Sequence, residues 1–374
     1  MISFKFGIVL LLFTFFVWEE RKLGEISNII AGGDKNINKI KKYGKYPVIA
    51  NSINKNGIVG YYDNEYRVKA PAVTVTGRGE IGHAVARFQN FTPIVRLLAL
   101  SSKLDPIFLA NSINKIRFFN ESTGVPQLTK PQLSTYSIII PSVEEQNNIG
   151  KLILLIEKYI HLQQRKLRLL KLLKKATQQN IFASTECLPK LKYRDLTGKW
   201  QLYRLKDVAK ITMGQSPNSK NYTQNPIDHI LVQGNADIRN GYVFPRIWTT
   251  EITKIANRGD IILCVRAPAG DVGRTKFNVV IGRGVAAIKG NDFIFQQLQF
   301  MKSSGYWKKY ISGSTFESIN SNDIKNAKIF CPSQLEQKNI SSLLDDIDTS
   351  IQIQQKNILD FKYIKQFLLQ NMFI

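Results

Sequence analysis

Residues Pro141–Ile149 read PSVEEQNNI, and residues Pro332–Ile340 read PSQLEQKNI. The offset is 332 − 141 = 191 residues, about half of the 374-residue chain. Each copy follows a β-branched run, YSIII (Tyr136–Ile140) or AKIFC (Ala327–Cys331), and each precedes a long segment of helical character. Pro and Ser followed by glutamate in the first turn is helix-start chemistry, because the positive end of the helix dipole favours acidic side chains. A chain that spells this hinge twice is read as a tandem repeat of a strand-rich domain feeding a helix.

The repeat extends beyond the hinge. WEERKLGEISNIIAGG from Trp18 aligns with WQLYRLKDVAKITMGQ from Trp200, pairing Trp18 with Trp200, Leu23 with Leu205, Ile29 with Ile211 and Gly32 with Gly214. There the offset is 200 − 18 = 182, so the second copy gains about nine residues before GEIG (Gly79–Gly82) meets GDVG (Gly270–Gly273) at 191. QNIF (Gln179–Phe182) answers QNMF (Gln370–Phe373). The expected organisation is an apolar lead-in (1–17), a first globular domain (18–141), a first long helix (142–183), a linker (184–199), a second globular domain (200–332) and a second long helix (333–374). AVTVT (Ala72–Thr76) and IILCV (Ile261–Val265) read as strands bounded by Gly and Pro. The fold class is α+β, with two strand-rich domains and a pair of long helices related by an internal repeat.

Ile149, Leu152, Ile156, Tyr159, Leu170 and Leu173 keep a 3-4 spacing in the first helical segment, as Ile340, Leu343, Ile347, Phe361, Ile364 and Leu368 do in the second. That spacing predicts a coiled-coil seam. About 38 residues at 1.5 Å each make a rod of roughly 55–60 Å. The first helix ends in Lys171, Lys174 and Lys175, and the second begins with Asp345, Asp346 and Asp348. Antiparallel pairing brings these together, and parallel pairing does not. Gln163 and Gln354 interrupt the two seams at matching positions and are expected near the crossing point, unless they face solvent.

Lys and Arg number 52 against 28 Asp and Glu, a formal charge of +24. Such an excess implies a polyanionic partner, nucleic acid or an anionic membrane surface. Cys187, Cys264 and Cys331 are odd in number and far apart, and His83, His161 and His229 are scattered. This argues for a reducing, cytoplasmic setting and against a disulfide framework or a zinc site. Phe6–Val17 (FGIVLLLFTFFV) is apolar but shorter than the ~20 residues of a membrane span. It is followed by WEERK instead of a small-residue cleavage site, and is read as a lead-in packed on the first domain. P-loop, zincin, nucleophile-elbow and methyltransferase motifs are lacking. GRGEIG (Gly77–Gly82) fits G-x-G-x-x-G, but the second copy keeps only its last half, so a tight turn is the better reading.

Each domain carries Lys, Asn, Gln, Ser and Tyr between glycines, the composition of loops that hold phosphates and read base edges. The DNA-contact candidates in the first domain are Lys35, Lys45, Asn51, Ser52, Asn54, Lys55, Tyr61, Arg78 and Arg87. In the second they are Gln215, Ser216, Lys220, Gln233, Asn235, Arg239, Arg266 and Arg274.

The set formed by W…RKLGEI and its repeat W…YRLKDV, GVPQL (Gly124–Leu128), the P-S-x-x-E-Q-x-x-I hinges and the QN-x-F helix ends resembles the specificity subunit of type I restriction-modification systems. The resemblance covers Trp18 to Ile374. It implies two target-recognition domains reading the halves of a split double-stranded DNA sequence, and helices serving as a ruler. It also implies docking of methyltransferase subunits and of motor-nuclease restriction subunits. S-adenosylmethionine, ATP and magnesium would then belong to those partners, leaving this chain without cofactor or catalytic residues and with no membrane partner. The apolar run before Trp18 departs from the family, which has a polar stretch there. A membrane-associated scaffold anchored by Phe6–Val17 is the alternative.

Overall fold

The computed structural model describes residues 18–119, 126–182, 189–191, 198–311 and 318–373. The run Phe6–Val17, Cys187, Gly124, Val125 and most of Ala183–Lys199 lie outside them. The described chain forms two compact units. One joins the residues up to Arg165 to those from Lys356 onward, and the other is Lys166–Gln355. Each unit holds one strand-rich domain and a stretch of both long helices, Val143–Ile181 and Gln334–Asn371.

In the first unit the β-branched run Ala72–Thr76 is buried along its length. It lies inside an antiparallel sheet of order Ser27–Ala31, Leu97–Ser102, Ala72–Thr76, Ala84–Arg87. A smaller sheet sets Tyr46–Ile49 antiparallel to Ile58–Tyr62 and parallel to Thr92–Pro93. The second unit repeats the plan. Lys210–Met213, Val285–Lys289, Ile261–Cys264 and Val272–Arg274 stand in the same order, and His229–Val232 runs parallel to Val279–Ile281. The larger sheet is then extended by Tyr242–Val243 and Ile238–Arg239, a hairpin turning on Asn240 and Gly241, both at positive φ. No described strand of the first unit corresponds to this hairpin. The α+β class and the internal repeat are thus those the sequence implies.

The matched glycines have a steric cause. A Cβ at Gly32 would stand 2.3 Å from the Ile94 carbonyl oxygen, and one at Gly214 would stand 2.1 Å from that of Gly282. Backbone fills the space, so any side chain would force the sheet edge apart. The Gly77–Gly82 stretch is a turn, with Gly79 and Gly82 at positive φ, and it leads into strand Ala84–Arg87 instead of a helix.

The hinge does the same work twice. In each domain the strand after the Trp pairs with the strand before the Pro: Glu19–Lys22 with Ser137–Ile140, and Gln201–Arg204 with Lys328–Cys331. Ser142 Oγ accepts the Glu145 amide at 3.2 Å, and Ser333 Oγ accepts that of Glu336 at 3.3 Å. Each satisfies a first-turn donor that has no partner within the helix. The Gln146 side chain donates back to the Pro141 carbonyl at 2.8 Å, and Gln337 to that of Pro332 at 3.0 Å. Buried Glu336 also accepts from the Trp200 indole at 3.2 Å.

The helix ends close the cores. In the first unit Trp18 meets Phe108 edge-on with ring centres 6.3 Å apart, and Phe108 stacks on Phe373 at 5.4 Å. In the second, Trp200 meets Phe293 at 5.8 Å, and Phe293 meets Phe182 at 5.7 Å. Phe182 and Phe373 are the final residues of QNIF and QNMF. The phenylalanine that ends each repeat therefore completes the aromatic cluster of the other repeat's domain.

Within each unit the helices run antiparallel. In the first, Glu157 pairs with Lys365 at 2.6 Å, and Tyr159 lies 4.2 Å from Phe361. In the second, Lys174 pairs with Asp348 at 2.7 Å, while Ile181 and Phe182 share a core with Ile340, Leu344 and Ile347. These ion pairs occupy equivalent positions of the repeat, since Lys174 corresponds to Lys365 and Glu157 to Asp348.

Ile149, Ile156, Ile340 and Ile347 are buried, and Leu170, Leu343, Phe361 and Leu368 are half-buried. The expected seam needs correction at Leu152, Tyr159 and Leu173, which are 36%, 37% and 51% exposed. Ile153, Ile160 and Lys174 take those places. Adjacent apolar residues allow two frames one position apart, and burial selects the 4-3 frame of Ile149, Ile153, Ile156 and Ile160. The expected charge contact also narrows. Among Lys171, Lys174 and Lys175 only Lys174 pairs with an acidic side chain among the described residues, while Asp345 accepts from Gln296 at 2.7 Å. Gln354 is buried and Gln163 half-buried, so neither faces open solvent.

Phe373→Ala should cost about 3–5 kcal/mol, the usual range for a large aromatic deleted from a core. Amide exchange should accelerate in helix Pro106–Lys115 and not in Asp292–Ser303, with Phe182→Ala giving the reverse. Burial, with the like charges of Asp292 and Asp348, raises the Asp345 carboxyl above its ordinary range, despite the Gln296 hydrogen bond. A raised folded value favours the protonated form, whose stabilisation is lost as pH rises through it. Asp345→Asn should therefore have a higher denaturation midpoint than the parent at about pH 7 and an equal one near pH 3.

Candidate nucleic-acid interface

In the first unit four segments converge beside the end of strand Tyr46–Ile49. The Asn51 amide oxygen accepts from the backbone of Gly77 at 2.6 Å and Arg78 at 3.3 Å, and its nitrogen donates to the Arg78 carbonyl at 2.8 Å. The Gly77 amide also donates to the Arg96 carbonyl at 3.0 Å, and the Leu128 amide to that of Gly77 at 2.8 Å. Asn51 therefore fastens its loop to the Arg78 turn and is spent on backbone. Beyond it, Ser52, Asn54 and Lys55 are exposed, and Lys55, Asn56 and Gly57 take positive φ in succession. Two non-glycine residues in that conformation are uncommon and mark a loop held by its surroundings.

Arg87 is half-buried and donates to Thr74 Oγ1 at 2.9 Å. It lines a small recess with Ser52, Asn56 and His83. Burial lowers its pKa to about 10, so the guanidinium stays charged at neutral pH. Asn51, Ser52, Asn54, Lys55, Arg78 and Arg87 thus come together. Lys45 and Tyr61 lie toward the other end of the strand pair, with the Lys45 ammonium 5.2 Å from the Tyr46 ring centre. Lys35 is exposed in the loop after Ser27–Ala31.

The second unit builds the same junction. The Val265 amide donates to the Gly284 carbonyl at 2.9 Å, as Gly77 does to Arg96. The Ile319 amide donates to the Val265 carbonyl at 2.8 Å, as Leu128 does to Gly77. Arg266 bridges Ser318 as Arg78 bridges Gln127, and the Gly282 amide meets the Val232 carbonyl as Ile94 meets Ile49. The loop here is Gln233–Asp237. Buried Asp237 accepts from the amides of Gln233 at 2.8 Å and Gly234 at 3.2 Å and pairs with Arg246 at 3.6 Å.

Gln233 donates to the Tyr222 hydroxyl at 2.7 Å, and Ser216 Oγ accepts from the Arg283 amide at 3.1 Å. Asn235, Gln215, Lys220 and Arg266 are exposed. Backbone and side-chain bonds from Asn218 and Asn221 hold the Glu251 carboxyl below its ordinary range, which fixes the loop carrying Lys220. Arg239 lies over the Phe244 ring at 4.0 Å, on the added hairpin. Arg274 departs from the expected exposed reader. It pairs with Asp292 at 2.7 Å and lies 5.0 Å from the Phe295 ring, so it ties strand to helix.

Two exposed arginines at the junctions, Arg96 and Arg283, were not among the candidates. Each sits in the turn before the last strand of its large sheet, where the repeat offset has shifted from 191 to 188, so that only the shared backbone hydrogen bonds bring the two turns into register. Among the described residues there is no cluster of His, Cys, Asp and Glu able to hold a metal. Burial lifts the Cys264 thiol to about 12 and the Cys331 thiol to about 11, which leaves both unreactive at neutral pH.

The model of the type I restriction modification DNA specificity domain matches this chain twice, over residues 17–185 and 197–360. A proposed type I restriction enzyme specificity subunit of Methanocaldococcus jannaschii, MjaX, is 28% identical over 275 residues, 68% of this chain and 64% of that protein. The MjaVIII specificity subunit of the same organism is 22% identical over 91% of this chain and 88% of its own. The match thus spans less than two thirds of the MjaX protein. Among solved structures, a type I restriction-modification S subunit from M. genitalium superposes with a TM-score of 0.69 at 14% identity, covering 97% of this chain and 98% of that one. The HsdS subunit of Thermoanaerobacter tengcongensis gives 0.51 at 20%, covering 95% and 96%.

Asn51→Ala strips the acceptor from two backbone amides and should cost about 1–3 kcal/mol in urea denaturation. Ser52→Ala, on the exposed side of the same loop, should stay within about 0.5 kcal/mol.

Proposed function

Because this chain belongs to the type I restriction modification DNA specificity family, we propose that it selects DNA sequence for a restriction-modification assembly and leaves the chemistry to other subunits. The observation that carries this is the repeated junction. One backbone frame occurs in both units, yet it presents Ser52, Asn54 and Lys55 in the first and Gln233 and Asn235 in the second. One scaffold with two sets of polar side chains suits the reading of two different short words. The +24 charge supplies the attraction to the phosphate backbone.

The first unit reads one half of a bipartite double-stranded target and the second unit the other. The paired long helices set the gap between the halves. Their exposed faces, with Leu155, Leu162, Leu169 and Leu172, offer docking surface for methyltransferase subunits, which restriction subunits join. S-adenosylmethionine, ATP and magnesium are bound by those partners, and the assembly works in the cytoplasm. The rival scaffold reading gains no support from the described residues, where no helix is long and apolar enough to cross a membrane.

Binding to duplex DNA should weaken steeply between low and moderate salt, because lysine and arginine release condensed counterions. A flat salt response would contradict DNA binding. Selection from a random duplex library should enrich two words with a fixed spacing. Replacing Gln233–Asp237 should change one word only, and a change in both would contradict the assignment of one word to each unit.

A further inference from the structure

The two junctions agree in one side-chain feature while differing in their loops. In the first unit Arg78 and Arg96 flank the hydrogen bond from Gly77 to the Arg96 carbonyl. In the second, Arg266 and Arg283 flank its counterpart, from Val265 to the Gly284 carbonyl. Arg266 stands at the backbone position of Arg78, and Arg283 one residue before that of Arg96. All four are exposed, and none makes an ion pair among the described residues. The Arg96 guanidinium has only a long contact, 3.4 Å, to the Gln127 amide oxygen.

Arg96 also adopts a φ of 72°, where a side chain is strained. An arginine held in that conformation marks a turn fixed by its surroundings, which presents the side chain in one place. Unpaired guanidiniums carried on turns pinned to a sheet are pre-positioned donors, and they bind phosphate oxygens in a bidentate fork.

The repeat separates two kinds of contact. If the units read different words, whatever they share must serve what the two words share, and that is the sugar–phosphate backbone. We propose that Arg78 with Arg96, and Arg266 with Arg283, are equivalent phosphate clamps that seat the DNA backbone against each unit without reading sequence. The differing loop residues beside them carry the base readout. This rests on the DNA-reading function proposed above.

The test uses the full chain with two duplexes, the sequence enriched from the random library and an unrelated sequence of equal length. Arg78→Gln with Arg96→Gln, and Arg266→Gln with Arg283→Gln, are each titrated across a salt series. Each lost phosphate contact should reduce the slope of log affinity against log salt by about 0.9. Each double variant should therefore lose about 1.8 and weaken both duplexes by the same factor, leaving the enriched words unchanged. Arg→Lys at the same positions should keep most of the slope, and unchanged thermal unfolding of these variants shows that the fold is intact.

A changed word with an unchanged slope would make these arginines base readers and overturn the proposal. Unaltered binding by both double variants would overturn it as well, while leaving the functional reading in place. A parent chain that binds neither duplex would overturn the functional reading and the clamps together.

Discussion

Phe108 lies in the first domain, and the ring stacked on it, Phe373, comes from the far end of the chain. Phe293 lies in the second domain and meets Phe182, which ends the helix that follows the first. This reciprocal exchange constrains everything else. Neither half of the sequence finishes its own core, so the first unit is assembled from two separated segments. The long helices must be antiparallel for their ends to reach these places. Ion pairs at equivalent positions, Glu157 with Lys365 and Lys174 with Asp348, fix the same direction in each unit.

The hinge follows from that exchange. A strand that hands the chain to a long helix must set the angle of departure firmly, because an error at the start grows along the helix. Pro141 and Pro332 end the strand, Ser142 and Ser333 cap the helix, and Gln146 and Gln337 tie the first turn back to the proline carbonyl. Placing the Trp strand beside the hinge strand then closes each domain at its neck. The loops proposed to read DNA lie on a fixed scaffold, which lets their side chains differ between units without disturbing the frame.

Much of this was legible in the sequence because it depends on local chemistry repeated at a constant offset. The hinge, the matched Trp18 and Trp200, the paired glycines and the QN-x-F endings all proved to have one structural job done twice. The seam lies one position from the expected frame at Leu152 and Tyr159, because neighbouring apolar residues satisfy two spacings and only burial decides, and at Leu173, where Lys174 takes the place by pairing with Asp348. Individual site residues were harder. Asn51 binds a turn 27 residues away in sequence, and Arg274 is claimed by Asp292 on a following helix, both through contacts that composition does not encode. Arg96 and Arg283 escaped notice as single arginines between apolar strands, and only the shared backbone hydrogen bonds bring them forward.

On this reading one chain carries two separately specified readers for a modification system. The decisive measurement is sequencing of the methylated bases in the DNA of cells with and without this chain. Without the chain, methylation should disappear at one bipartite sequence whose two words keep a constant spacing. Methylation that persists unchanged, or that is lost at a single uninterrupted word, would contradict this reading.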